Sequence, residues 1–411
     1  VTDGQRVFAV AALVVAAAGQ AFGAGLERPN VVGARAIGMG GAFTAIADDP
    51  TAVWHNPAGT AIYGDNVAYL GGELVFLGRS WMPGPGSALY NGPTTKAVNE
   101  TTTPQAIPVI GLTTRFGFGK APPTRFALSV LVYDAYGGSV SFKPSDVNNA
   151  GITSTSVRDL EVTPTLAYQV TDVLSVGAGL RLGINNFAVN DREPLFNANI
   201  SGNGFGLGAT LGVMLRPHRL VQIGATYRSP LNASVTGNGP IGVGKGMPMP
   251  ADFGIKLSWP QSASLGVTVF AHPRFLTSVQ ADWTAWSSIQ NLSIDALGIT
   301  TPKAERFQDA YAVHLGFQGI ITRYLLARLG VALDSNAIPD RTVRRENQDN
   351  LKATLAVGIG VHVWKIFIDS AFETLLPLPA RVVANDPSGE NEPGTYSAHV
   401  YTAELSAQIR F

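Results

Sequence analysis

The chain has no cysteine in 411 residues, which excludes disulfides and thiolate metal sites. It is also poor in charge: Asp, Glu, Lys and Arg make up 14% of the residues, against roughly 25% in an average soluble domain. Neither sign dominates, because 29 basic and 29 acidic residues cancel. That balance argues against a nucleic-acid partner and against polybasic docking on a membrane. No apolar run reaches the roughly 20 residues that a spanning helix needs. The stretch Val7 to Ala18 follows Arg6 and precedes Ala21-Phe22-Gly23, so residues 1–23 read as a secretory signal cleaved after Gly23. A chain without a spanning helix enters a membrane only as a closed barrel.

What is present fits a barrel. Hydrophobic residues reach an ordinary 45% and glycine is 46 of 411, natural for a curved, closely packed sheet. Apolar and polar residues alternate along many segments. Leu174, Val176, Ala178, Leu180, Leu182 and Ile184 oppose Ser175, Gly177, Gly179, Arg181 and Gly183. The same period of two runs through Val221–Arg228, Leu325–Asp334 and Val400–Phe411, and marks strands with one greasy and one wet face. Very short connections (Thr171-Asp172, Arg216 to Arg219, Ala271 to Arg274, Thr322-Arg323, Trp364-Lys365) alternate with long polar ones at about 78–106, 137–157, 188–202, 236–250, 294–307, 335–349 and 379–397. Tight periplasmic turns and longer extracellular loops sort in this way. The expectation is an all-β fold, a transmembrane antiparallel β-barrel of about 14 strands over residues 65–411. Trp283, Trp286, Trp364, Tyr227, Tyr324 and Tyr401 are the expected interface anchors.

So wide a barrel leaves a lumen. Residues 24–64 do not alternate and are rich in Gly and Ala, with apolar Met39, Phe43, Ile46 and Trp54. They are expected to form an N-terminal hatch plugging that lumen. A terminal aromatic, Phe411, on an amphipathic strand is similar to the C-terminal signature of bacterial outer-membrane barrels, and implies recognition by the barrel-assembly machinery. The stretch Gly33-Ala34-Arg35-Ala36-Ile37-Gly38-Met39-Gly40-Gly41-Ala42-Phe43, then Asp48-Asp49-Pro50 and Asn56-Pro57-Ala58-Gly59, resembles the hatch of the FadL/TodX outer-membrane transporters. Val162–Tyr168, Ile223–Pro230 and Asp282-Trp283 extend the resemblance along the chain.

The resemblance implies passive uptake of hydrophobic small molecules, long-chain fatty acids or aromatic hydrocarbons, in the outer membrane of a Gram-negative bacterium. Outer-membrane lipid and lipopolysaccharide would surround a monomer. It implies a hatch and gate at Asn56, Pro57, Ala58, Asp48 and Asp49, and a lateral exit from a kink in the third strand that faces Asn56-Pro57-Ala58. That strand reads as Arg125–Tyr136, with Leu131 and Tyr133 turned inward. Gly137 and Gly138, just after it, are expected to break pairing. Met39, Phe43, Ile46, Trp54, Leu131 and Tyr133 are the expected ligand contacts.

Two other readings remain. One is a secretion- or surface-associated barrel that binds proteins without transporting solute. The other is a hydrophilic pore lined by Arg181, Arg228 and Arg328. No catalysis is expected, because the six histidines are scattered and lie in no hydrolase motif. Asp48-Asp49 before Pro50 reads as a turn or cap. Carboxylates in 334–349 and 386–392 read as solvated loops, so neither metal nor cofactor is expected.

Overall fold

The computed structural model describes residues 31–62, 65–101, 104–117, 125–143, 145–146, 152–193, 196–243, 249–296, 299–304, 306–378, 381–387 and 391–411. The proposed signal, 1–23, lies outside them. Fourteen strands form one closed antiparallel barrel. They are β1 (Val67–Pro83), β2 (Gln105–Phe116), β3 (Phe126–Ser141), β4 (Ile152–Gln169), β5 (Leu174–Glu193), β6 (Phe196–His218) and β7 (Val221–Arg228, continued as Leu231–Val243). After these come β8 (Met249–Trp259 and Ser262–His272), β9 (Phe275–Thr284 and Asn291–Ala296), β10 (Ile299–Ala304 and Ala310–Ile320), β11 (Leu325–Asp334), β12 (Lys352–Val363), β13 (Ile366–Pro377) and β14 (Gly394–Arg410). Each pairs with its sequence neighbour, and β14 closes on β1 from Val67↔Arg410 to Pro83↔Gly394.

Burial is inverted relative to a water-soluble protein. On β14, Tyr401, Leu405 and Ile409 are exposed, while Thr402, Glu404, Ser406 and Gln408 are buried. On β11, Leu329, Val331 and Leu333 face out and Arg328 faces in. An apolar outer band around a polar inner wall is the pattern lipid demands. The five short turns stand where the sequence places them. Tyr227, Tyr324, Trp364 and Tyr401 are exposed, as interface anchors would be, but Trp286 is not. It is the buried first residue of a 3-10 turn, Trp286–Ser288, and lies edge-on to Tyr136 and Phe307.

The long connections differ from expectation. Most of 188–202 and 236–250 is strand: β5 and β6 stay paired to Glu193↔Phe196, and β7 and β8 to Met249↔Ile241. Inward-facing Phe187, Val189, Ile200, Val235 and Phe253 are buried there, with Phe187 and Phe253 rings 5.9 Å apart. A dry core supports this extension, so polar outward residues in it do not mark loops. The connection after β11 folds into the barrel mouth. Ile338 and Val343 are buried there together with Glu346 and Asp349. Asp349 accepts the backbone N–H of Ala337 and of Ile338 and a 2.7 Å bond from Lys352 Nζ. These carboxylates are therefore structural rather than solvated.

Residues 31–62 lie within the ring of strands and are almost wholly buried. Two short helices, α1 (Ala34–Gly38) and α2 (Ala52–His55), and a 3-10 turn, Pro57–Ala61, are the helical parts of the segment. Inward-facing glycines let its backbone touch the wall. A Cβ on Gly330 of β11 would come within 2.1 Å of Gly40 N, and one on Gly177 of β5 within 2.5 Å of the Pro57 carbonyl carbon.

Candidate functional site

Two features meet at the third strand. It runs on to Ser141, through Gly137 and Gly138, rather than ending at Tyr136. Its pairing with β2 nevertheless stops at Ile110↔Val132. Beyond that point Gln105–Val109 pair with β1, and Tyr133–Ser141 pair with β4. The two edges rejoin at the mouth, where Thr101 N–H donates to Ser141 O at 2.7 Å and Glu100 bridges Phe142. A window in the wall lies between, crossed by one bond from Gln105 Nε2 to Ser139 Oγ at 2.8 Å.

The cause lies partly one step before the glycines. A bulge between Asp134 and Tyr136 inserts Ala135 against β4. An extra residue reverses the facing of the residues after it. Tyr136 turns inward and stacks on Trp259 at 4.9 Å. Asp134, on the other side of the bulge, takes a 2.6 Å ion pair from Arg158. Gly137 comes next with φ +141°, where a Cβ would strike the Val157 carbonyl at 2.6 Å. Only glycine holds that position without strain.

Inside the window is a cavity of about 110 Å³ between the N-terminal segment and the inward-folded connection. Val31, Val75, Leu77, Ile107, Leu375 and Val400 give it an apolar side, and Glu73, Gln348, Asn350, Lys352 and Glu373 a polar one. Gln105, Ile107, Gly137 and Gly138 line both this cavity and the opening in the wall. The window and the inner cavity therefore share a border.

The expected ligand contacts separate into two groups. Trp54, Leu131 and Tyr133 share one cluster, with Trp54 edge-on to Tyr133 at 5.2 Å. Met39, Phe43 and Ile46 form another with Ala36, packed on Leu276. Trp54 of α2 approaches the bulged part of β3, its ring 6.4 Å from that of Tyr136. Asn56 fixes the segment to β6, its Nδ2 donating to Val213 O at 3.0 Å and to Thr44 O at 3.1 Å. Its Oδ1 accepts from Ala58 N–H, and Pro57 sits on Gly177 and Gly212. Asp48 and Asp49 both pair with Arg35, at 2.7 and 3.1 Å. Asp49 also accepts from Thr51 N–H and Oγ1–H, a local cap of the kind the sequence suggests. Burial lowers the His55 pKa to about 4, so the ring is neutral at pH 7 and its Nε2–H donates to Val32 O at 2.8 Å.

A buried charge cluster behind Trp54 escaped sequence reading. Glu161 of β4 takes Arg181 at 2.5 Å and Arg228 at 2.8 Å, and accepts from Tyr133 Oη at 2.7 Å. The Arg228 guanidinium lies 3.7 Å over the Trp54 ring, a cation–π contact from wall to segment. The arginines were visible at inward positions. Their partner shows only when β4 and β5 are set side by side, which needs the register. These arginines are tied to a carboxylate, so they do not line an open pore. Glu161→Gln removes the carboxylate that both guanidiniums bond directly, leaving only buried Asp159 beside them. About 3–5 kcal/mol of stability should be lost, read as a lower temperature for loss of the compact band in detergent gels.

Comparison with known proteins agrees with this geometry. Residues 12–411 match the family model described as outer membrane protein transport protein (OMPP1/FadL/TodX). A long-chain fatty acid transport protein of Salmonella typhi is 24% identical over 391 residues, 84% of this chain and 86% of the relative. A Pseudomonas aeruginosa FadL homologue superposes with a TM-score of 0.81 at 17% identity, covering 94% of this chain and 100% of the other. The Ralstonia pickettii toluene transporter TbuX gives 0.71 at 16%, covering 94% and 99%. With the family model matched over nearly its entire length, the chain belongs to the OMPP1/FadL/TodX family, outer-membrane β-barrels that transport fatty acids and aromatic hydrocarbons.

Proposed function

We propose that this protein conducts hydrophobic small molecules passively across the outer membrane of a Gram-negative bacterium, with residues 31–62 as the hatch. Solute enters from the mouth, rests in the 110 Å³ cavity and leaves sideways into the bilayer between β2 and β3. The observation that carries this is the border shared by cavity and window at Gln105, Ile107, Gly137 and Gly138. An apolar solute gains little from a watery route, because about 25 cal/mol per Å² favours keeping its surface dry. A lateral route lets it pass from an apolar cavity wall to lipid. Trp54, Leu131 and Tyr133 lie on the inner side of this route, whereas Met39, Phe43 and Ile46 seat the hatch.

Uptake of labelled toluene and oleate tests the reading, in Gram-negative cells stripped of their own fatty-acid porter, with and without this protein. Protein-dependent entry of either solute is the expected result. Equal entry with and without the barrel, once it is shown to be in the outer membrane, overturns it.

A further inference from the structure

Opposite the window, β9 and β10 grip the hatch where the chain turns through Gly40 and Gly41. Both glycines have positive φ, +62° and +88°, and the turn aims the Gly40 carbonyl at His314 of β10. His314 Nδ1 lies 2.7 Å from Gly40 O, and its Nε2 lies 2.9 Å from Asp282 Oδ2 on β9. A carbonyl and a carboxylate are both acceptors. The Nδ1 contact is a hydrogen bond, whereas the Nε2 contact is an ion pair rather than an aligned hydrogen bond, so it attracts only when the ring is an imidazolium. Asp282 also accepts from Gln280 Nε2 at 2.9 Å, and Gln280 Oε1 receives the N–H groups of Phe43 and Thr44 at 3.0 and 2.8 Å. One connected set of side chains thus converges on residues 40–44 of the hatch.

We propose that Asp282 and His314 are positioning residues that latch residues 40–44 through an imidazolium–carboxylate pair, so that the hold on the hatch weakens as pH rises and His314 loses its second proton. Deprotonation leaves a ring lone pair facing an oxygen, turning one of the two attractive contacts into a repulsive one. A second cavity of about 80 Å³ lies beside the latch, and the other charged groups lining it are Arg228 on β7, Asp334 on β11 and His55 of the hatch. His55 titrates at about 4, well below the range in which the latch is tested. The consequence for uptake rests on the hatch acting as a gate; the latch itself does not.

The absence of native cysteine allows a single reporter. Thr44→Cys is conservative, since the Thr44 hydroxyl makes a long 3.4 Å contact with His55 O. Its maleimide labelling rate in the full-length protein is divided by that of exposed Ala88→Cys, which normalises for the reagent, while the same reporter in the His314→Gln background controls for the titration of the buried thiol. The ratio should rise about tenfold between pH 6 and pH 9, the scale of losing one charge-assisted bond. In His314→Gln and Asp282→Asn backgrounds it should be high already at pH 6 and flat. A flat wild-type ratio, or a His314→Gln profile that still tracks the wild type, overturns the latch. Toluene and oleate uptake at both pH values is measured alongside. A pH-dependent ratio with unchanged uptake leaves the latch standing and removes the gate.

Discussion

Replacing Gly330 by leucine should expel the hatch while leaving the barrel wall standing. The site allows no compromise: a Cβ alone would lie 2.1 Å from Gly40 N and 2.2 Å from the Met39 carbonyl carbon. Those are backbone atoms, which no rotamer change can move aside. Overpacking in a core typically costs about 1–3 kcal/mol, and here the clash falls on the turn that His314 also holds. The outer face of β11 is untouched, so assembly and the compact band in detergent gels should persist. The expected readouts are protease cleavage within 31–62 and a large rise in bilayer conductance, because the emptied lumen of a barrel this wide carries water. Gly72→Leu on β1 is the control, since a Cβ there meets nothing within 4 Å. A Gly330→Leu protein with wild-type conductance and protease resistance would refute a hatch seated by glycine contacts.

Closing the window should abolish uptake. Gln105 and Ser139 stand on its two edges, with their side chains already 2.8 Å apart. Cysteines at 105 and 139, joined by a short reducible bis-thiol cross-linker, tie β2 to β3 across the gap. Uptake of toluene and oleate should drop to the level of cells without the protein, and return on reduction. Either single cysteine treated with the same reagent serves as the control for added bulk. Uptake undiminished in the cross-linked protein would mean that solute continues down the lumen, and the lateral route would be wrong.

The wall was legible in the sequence because period-two alternation and sorted connection lengths both result from having lipid outside and water or protein inside. The N-terminal segment stood out for the opposite reason: it alternates nowhere. Less legible was everything that depends on which residues face one another across the lumen. The extensions of β5 to β8 carry polar outward residues above the apolar band, so they looked like loops, although Phe187, Ile200 and Phe253 fill their inner side. Glu346 and Asp349 looked solvated because burial arises only when the connection turns inward, bringing the Ala337 and Ile338 amides and Lys352 to Asp349. At the window, Gly137 and Gly138 are readable on the stretch of β3 that pairs with β4 but not with β2. The bulge at Ala135 has no sequence signature, since alanine fits a regular strand equally well. Trp286 passed for an interface anchor because indole suits both a headgroup boundary and an aromatic core.

The seam between β1 and β14 sets an order of events in biogenesis. It joins Val67 to Arg410, the two ends of the wall, so the cylinder cannot shut before its last strand arrives. The hatch immediately precedes β1 and is gripped by glycines on β5, β6, β7, β10, β11 and β12, most of them synthesised long after it. Threading it into a finished cylinder would mean dragging Arg35, Asp48 and Asp49 past a wall that leaves no clearance at Gly330. The hatch is more simply laid on the open, curling sheet and enclosed as the seam zips. The inward glycines then act as a mould during assembly, and the unpaired edges of β1 and β14 are the surface that the cell has to shield until they meet.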